Sequence, residues 1–187
     1  MRSGVPISAI CAVATVLAVS APARAYDASP LSDLVDAAAQ RLQVADDVAA
    51  IKWRTGGAIE DPARVGQQLE QLAAAAAGNG LDPDYVRRIF ADQIAATEAA
   101  EHYRFAQWKL DPAAAPSTAP ELAASRARID GFNQTMLAQI GQRWELLHAA
   151  DCAGQLGEAT RAVADARRLD EFYRRALSTA TADYCTR

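Results

Sequence analysis

Arg41 and Lys52 lie on the face of their segment that apolar spacing marks as buried. Leu34, Ala38, Arg41, Ala45, Val48 and Lys52 recur at steps of three and four, the period of one helix face. The two cations are about three turns apart, or about 16 Å of helical rise, so both side chains can lean toward something held between them. A second such face, Phe90, Ile94, Thr97, Glu101, Phe105 and Trp108, carries Thr97 and Glu101 on successive turns. A third runs through Leu122, Arg126, Ile129, Phe132 or Asn133, Met136 and Ile140, and Arg126 interrupts it. Asp61, Arg64 and Gln68 are spaced three and four apart beside Val65, Leu69 and Leu72.

One inward cation is explained by snorkelling, the stem on apolar surface and the head in water. Four segments with inward polar groups ask for more. Buried charges are costly unless paired. If Glu101 and Asp61 pair with two of Arg41, Lys52, Arg64 and Arg126, an excess of about two positive charges remains. A small ligand with two carboxylates would neutralise it; a network closed by other carboxylates or by water is the alternative. The chemistry expected is stabilisation of developing charge by fixed cations and hydrogen bonds in a water-poor cavity. A Lys52 without a partner would also predict that Lys52→Met costs no stability.

Other chemistries find little support. His102 and His148, the two histidines, are not spaced as HExxH, and no CxxC, Walker loop or GxGxxG occurs. No metal ligand set is visible, and neither a metal nor a cofactor is expected. The formal charge is −4, which argues against nucleic acid, since phosphate binding needs a basic surface.

The elements that must hold these residues are marked by caps and breakers. Residues 1–25 read as a cleaved secretory signal peptide: Arg2, an apolar run from Val5 to Val19, then Ala23-Arg24-Ala25. Cleavage after Ala25 leaves a domain at 26–187, secreted or periplasmic and with no further membrane contact, and shifts the charge to about −6. The spacing predicts one all-α domain, a bundle of about six helices, three of them long. The first helix runs from Ser29-Pro30 to about Arg54 and stops at Gly56-Gly57; Asp61-Pro62 opens the second, which "GNG" at 78–80 ends. Gly66 falls inside this helix, beside the expected site. Asp82-Pro83 opens the third helix, to about Leu110; Asp111–Pro120 is a connector; the fourth runs from about Glu121 to Ala149. Two shorter helices follow, with a break near Arg167-Arg168. Cys152 would begin the first of them and Cys185 end the second, side by side in an antiparallel hairpin. An even pair of cysteines in an exported chain reads as a disulfide, against two free buried thiols.

The stretches "LVDAAAQRLQVADDVAAIKWRTGGAIEDPARVGQQL", "LDPDYVRRIFADQIAATEAAEHYRFAQWK" and "LAASRARID" resemble the secreted, all-helical gamma subclass of chorismate mutases. The likeness extends from about Leu31 to Cys185. It implies a Claisen rearrangement of chorismate to prephenate, with no covalent intermediate and no cofactor. By similarity, Arg41, Lys52, Arg64 and Arg126 clamp the substrate's carboxylates, and Lys52 also reaches the ether oxygen. Glu101, Gln68 and Thr97 supply hydrogen bonds, and Asp61 places Arg64 or the ring hydroxyl. Lys52, Glu101, Arg41 and Gln68 would carry the catalysis. Glu101 can donate to the ether oxygen only when protonated; neighbouring cations oppose that state, while burial and a dianionic ligand favour it. The alternative is an ionised strut for Lys52 or Arg64. The resemblance further implies a site within one chain and a possible homodimer. A non-catalytic exported binding protein for an aromatic dicarboxylate has the same polar pattern and is told apart by its failure to consume chorismate.

Overall fold

The computed structural model describes residues 29–185; the expected signal peptide and its cleavage site lie outside them. Among the described residues there are eight α-helices and one 3₁₀ turn. They are α1 (Ser32–Gln43), α2 (Ala45–Thr55), α3 (Pro62–Gly78), α4 (Pro83–Leu110), α5 (Leu122–Gln142), α6 (Trp144–Leu147), α7 (Cys152–Ala166) and α8 (Glu171–Ala180), with the 3₁₀ turn at Pro112–Ala114. No helix among them is long and apolar enough to cross a membrane. The expected first helix is α1 plus α2, joined through Val44, whose own angles are still helical. The expected fourth is α5 plus α6, joined through Arg143.

The caps act as the sequence proposes. Asp61 accepts from the Arg64 backbone N–H at 3.1 Å and Asp82 from that of Asp84 at 2.9 Å. Each is followed by a proline at the start of the helix, where the missing N–H is no loss. Gly56 ends α2 with φ +66°, a left-handed conformation that glycine adopts without a Cβ clash. Gly66 differs from expectation. It is exposed and a Cβ there would meet nothing within 4 Å, so it does not bear on the site.

α1 is the axis of the bundle. Leu34, Val35, Ala37, Ala38, Ala39 and Leu42 are all at most 3% exposed, and α1 packs against α4, α5, α7 and α8. Only Asp33 of this helix is exposed, so it lies in the centre, and its alanines let four neighbours approach closely. α3 lies along α4, and α2 is packed by α4 and α5.

Three devices pin these helices together. Trp53 of α2 meets Phe105 and Trp108 of α4 edge-on, at centroid distances of 5.1 and 5.6 Å. Asp46 of α2 takes both arms of Arg104 of α4, at 2.6 and 2.9 Å, and the Tyr173 hydroxyl of α8 at 2.5 Å. At the chain end, Tyr85 of α4 donates to the Tyr184 carbonyl at 2.5 Å, and Cys152 is bonded to Cys185. Cys152 opens α7 as expected. Cys185 does not end a helix: α8 stops at Ala180 and a turn carries the chain to the bridge. The break between α7 and α8 falls at Arg168, a non-glycine residue with φ +51°.

The bridge closes a loop over 33 residues. In the chain-entropy account its loss costs about 3–4 kcal/mol. The double variant Cys152→Ala/Cys185→Ala is expected to lose about that much unfolding free energy in urea. Intact mass of the unreduced protein should show two protons fewer than the free-thiol form.

Candidate active site

α1 and α2 carry Arg41, Val48 and Lys52 along one side of a cavity of about 170 Å³. That is below the about 300 Å³ at which drug-sized sites begin, so a small ligand fits it better than a nucleotide. α3 closes it with Asp61 at its cap, Arg64 and Gln68; α4 contributes Thr97, Glu98 and Glu101, and α5 contributes Arg126. All eight residues singled out in the sequence therefore face one space. The apolar walls are Val48, Val65, Ile94, Leu122 and Ile129, the interruptions of the stripes being the polar groups themselves. A larger hollow of about 860 Å³ beside the disulfide holds none of these cations.

The deepest charge is Arg41, 3% exposed. Its Nε donates to Asn133 Oδ1 at 2.7 Å, and its Nη1 to Gln93 Oε1 at 3.4 Å and Thr97 Oγ1 at 3.3 Å. All three acceptors are neutral. Burial pulls the guanidinium down to about 10, against smaller opposing influences of Tyr184 and Asp130, so it stays charged at neutral pH. Thr97 has its single proton committed to the Gln93 carbonyl at 2.7 Å. As arranged, Thr97 supports Arg41 and has no hydrogen left to offer a ligand.

Lys52 is not unpaired. Its Nζ donates to Glu101 Oε2 at 2.7 Å and to the Ile59 carbonyl at 2.7 Å. The second bond ties the loop between α2 and α3 to the cavity and leaves one of three ammonium protons free. Glu101 is 3% exposed. Burial pushes its carboxyl above the ordinary glutamate value, outweighing the hydrogen bond and charge of Lys52 that pull it down. Glu101 Oε1 has no partner among the described residues.

Arg64 is half-buried and Arg126 exposed, both at the rim. Asp61 is exposed and uses one oxygen for its cap, so it is not part of the buried charge. Glu98, which the stripe does not single out, also lines the cavity. The lining then holds Arg41, Lys52, Arg64 and Arg126 against Asp61, Glu98 and Glu101, an excess of one positive charge where two are expected. Gln93 and Asn133 escape sequence reasoning as partners of Arg41. The spacing does offer Asn133 as an alternative to Phe132, and it is the asparagine that is buried.

Residues 32–102 match the family described as chorismate mutase type II. The chain is 55% identical over 163 residues to the secreted chorismate mutase of Mycobacterium tuberculosis, covering 87% of this chain and 82% of that one. It is 53% identical over 175 residues to the secreted chorismate mutase of Mycolicibacterium smegmatis, covering 93% and 97%. The crystal structure of a chorismate mutase from Burkholderia phymatum superposes with a TM-score of 0.81 at 30% identity, covering 85% of this chain and 98% of that one.

The Lys52–Glu101 pair reverses the stability expected of Lys52→Met. The substitution strips a nearly buried carboxylate of its counter-charge, which is strongly unfavourable. Glu101 is raised in the folded state, so the fold holds its proton more tightly than the unfolded chain does, and the stability this one group contributes is fully present below the ordinary glutamate value. Stability falls as pH rises through the raised value. Lys52→Met removes the opposing influence and should steepen that fall, while Glu101→Gln should abolish it. Melting temperatures between pH 4 and 8 check both. Equal slopes in all three proteins would show that Glu101 is not coupled to folding.

Proposed function

The chain belongs to the chorismate mutase family, and we propose that it is an exported enzyme converting chorismate to prephenate in the cavity between α1–α2, α3, α4 and α5. The observation that carries this is the meeting of four cations from four parts of the chain around one buried, proton-prone carboxylate. Export rests on the secreted relatives and the signal-like N-terminus, with cleavage after Ala25. The eight polar residues of the sequence reading all come to the cavity from one chain, as the resemblance implies, and a homodimer is proposed with it.

Chorismate is a dianion whose enol-ether C–O bond breaks as a C–C bond forms. No group on the protein needs to be acylated, oxidised or attacked. The protein holds the chair-like conformer and stabilises the charge that separates in the transition state. Arg41, from the cavity floor, takes one carboxylate, and Arg64 and Arg126 at the rim draw in and hold the other. Val48, Ile94 and Ile129 pack the ring and exclude water, which strengthens every charge interaction inside. Negative charge grows on the ether oxygen. The free proton of Lys52 meets it from one side, and a proton on Glu101 Oε1 from the other. Gln68 offers an uncommitted amide from α3. Burial already favours the protonated form of Glu101, and a bound dianion favours it further.

Two variants test this by the loss of chorismate absorbance. Lys52→Met is expected to lose at least about a hundredfold in turnover, as when one transition-state donor is removed, when assayed well below its melting temperature. For the wild type, kcat/KM should decline as pH rises past the acid's value, because the donor is then lost. Glu101→Gln carries a permanent donor of nearly the same shape and should flatten the profile between pH 5 and 8. If Glu101 instead works ionised as a strut, the glutamine variant is poor at every pH and the wild type shows no such limb.

A further inference from the structure

Arg41 is the most deeply buried arginine among the described residues, and it lacks what six more exposed ones have. Arg104 is held by Asp46, Arg167 by Asp36, Arg128 by Asp47, Arg174 by Asp165, Arg87 by Asp84 and Arg175 by Glu171. All of these are more exposed than Arg41, which is 3% exposed, and each has a carboxylate. Arg41 needs one most and, among the described residues, has none within ion-pair distance. Its acceptors are two side-chain amides and a hydroxyl. The amides are themselves buried: Gln93 is 0% and Asn133 4% exposed. Gln93 is oriented by its own donation to the Ala38 carbonyl at 3.4 Å, which turns its oxygen toward Arg41.

Amide oxygens hold a guanidinium by geometry and leave its net charge intact. A carboxylate at the same place would hold it more strongly and cancel the charge. The difference matters because a substrate carboxylate gains most from a cation that has no internal counterion. Nη2 of Arg41 has no partner among the described residues, and the side chain lines the cavity. The fork therefore keeps one nitrogen for a ligand while Nε and Nη1 are fixed from behind.

We infer that Asn133 and Gln93 are positioning residues whose neutrality is functional: they orient Arg41 for the substrate while leaving its charge for a substrate carboxylate to neutralise. The inference rests on the mutase reading for the identity of that substrate. Stability is given up for it, since a counterion at this place would relieve the buried charge. A residue that merely packs would show no such opposition between stability and binding.

Asn133→Asp tests this with almost no change of shape. Without ligand its melting temperature should rise above that of the wild type. KM for chorismate should rise at least about tenfold with kcat changed much less, the pattern of lost ground-state binding. The dissociation constant for prephenate, measured by calorimetry, should rise in parallel. Gln93→Glu is the second variant, with the same expected signs. A fall in melting temperature with a fall in kcat would mark both amides as structural and overturn the inference, and so would unchanged KM. Failure of both variants to fold would show that the amides serve folding rather than charge, and would overturn it as well. A wild type that binds prephenate without consuming chorismate would sink the mutase reading alone, because the binding arm still measures the effect of Asn133→Asp. A wild type that does neither would remove both.

Discussion

Glu101 depends on Lys52 more than Lys52 depends on it. Without the ammonium the Glu101 carboxylate, its side chain 4% exposed, would be a charge removed from water with no counter-charge, a state it escapes only by taking up a proton; Lys52, its side chain 23% exposed, also has the Ile59 carbonyl. As a pair at 2.7 Å they are tolerable, but only while α2 and α4 keep one separation and one register. Much of the architecture serves that condition. The Trp53, Phe105 and Trp108 cluster grips the end of α2 one residue from Lys52. The Asp46–Arg104 fork fixes its beginning, and Tyr173 holds the same carboxylate from α8. The two faces of the clamp are thus set from both ends of α2, and the ion pair sits between them.

Arg41 is held by a different logic, although it lies on the continuation of the same rod. Where Lys52 is matched by a carboxylate, Arg41 is matched by dipoles. The cavity consequently has a gradient: an uncompensated cation at its floor, a compensated pair along its wall, and rim arginines partly offset by Asp61 and Glu98 at its mouth. An anion drawn to the rim meets its most favourable partner last. This order follows from depth alone, because the worth of a charge contact rises as water is excluded.

The helix boundaries at Asp61-Pro62 and Asp82-Pro83 are legible in the sequence because a cap and a proline are local chemistry; α3 and α4 begin where those pairs say. The joints at Val44 and Arg143 are not. Val44 stays in the helical region while the hydrogen-bond ladder slips, and no residue type announces such a slip. Cys185 reads as a helix end because the chain between it and Cys152 has helical periodicity; the turn after Ala180 is held by short-range bonds, such as the Tyr184 N–H to the Thr181 carbonyl at 3.3 Å, and also by Tyr85, about a hundred residues away. In the site, stripe interruptions identify Arg41, Lys52, Thr97, Glu101 and Arg126, since a charge on an apolar face is visible in one helix. Partner choice is not visible. That Lys52 meets Glu101 and Arg41 meets Asn133 depends on how two helices cross, and Gln93 reads as an ordinary polar residue at a stripe's edge. Thr97 shows the same limit: its position is right, but its proton is committed within its own helix.

The alanines of α1 set how this protein can diverge. Ala37, Ala38 and Ala39 lie almost wholly inside, with α4, α5, α7 and α8 around the helix. A larger side chain at any of them must push at least one neighbour outward, and overpacking of that kind costs about 1–3 kcal/mol. The displacement would not stay local, because the acceptors of Arg41 belong to two of those neighbours: Gln93 to α4 and Asn133 to α5. Neutral drift is thus barred from the middle of the bundle by volume and by charge geometry at once. It remains open on the outer face of α3, where Glu70, Ala74 and Ala75 face solvent and a change alters neither. Lineages descended from this chain should accumulate their differences there first, with the central rod changing most slowly.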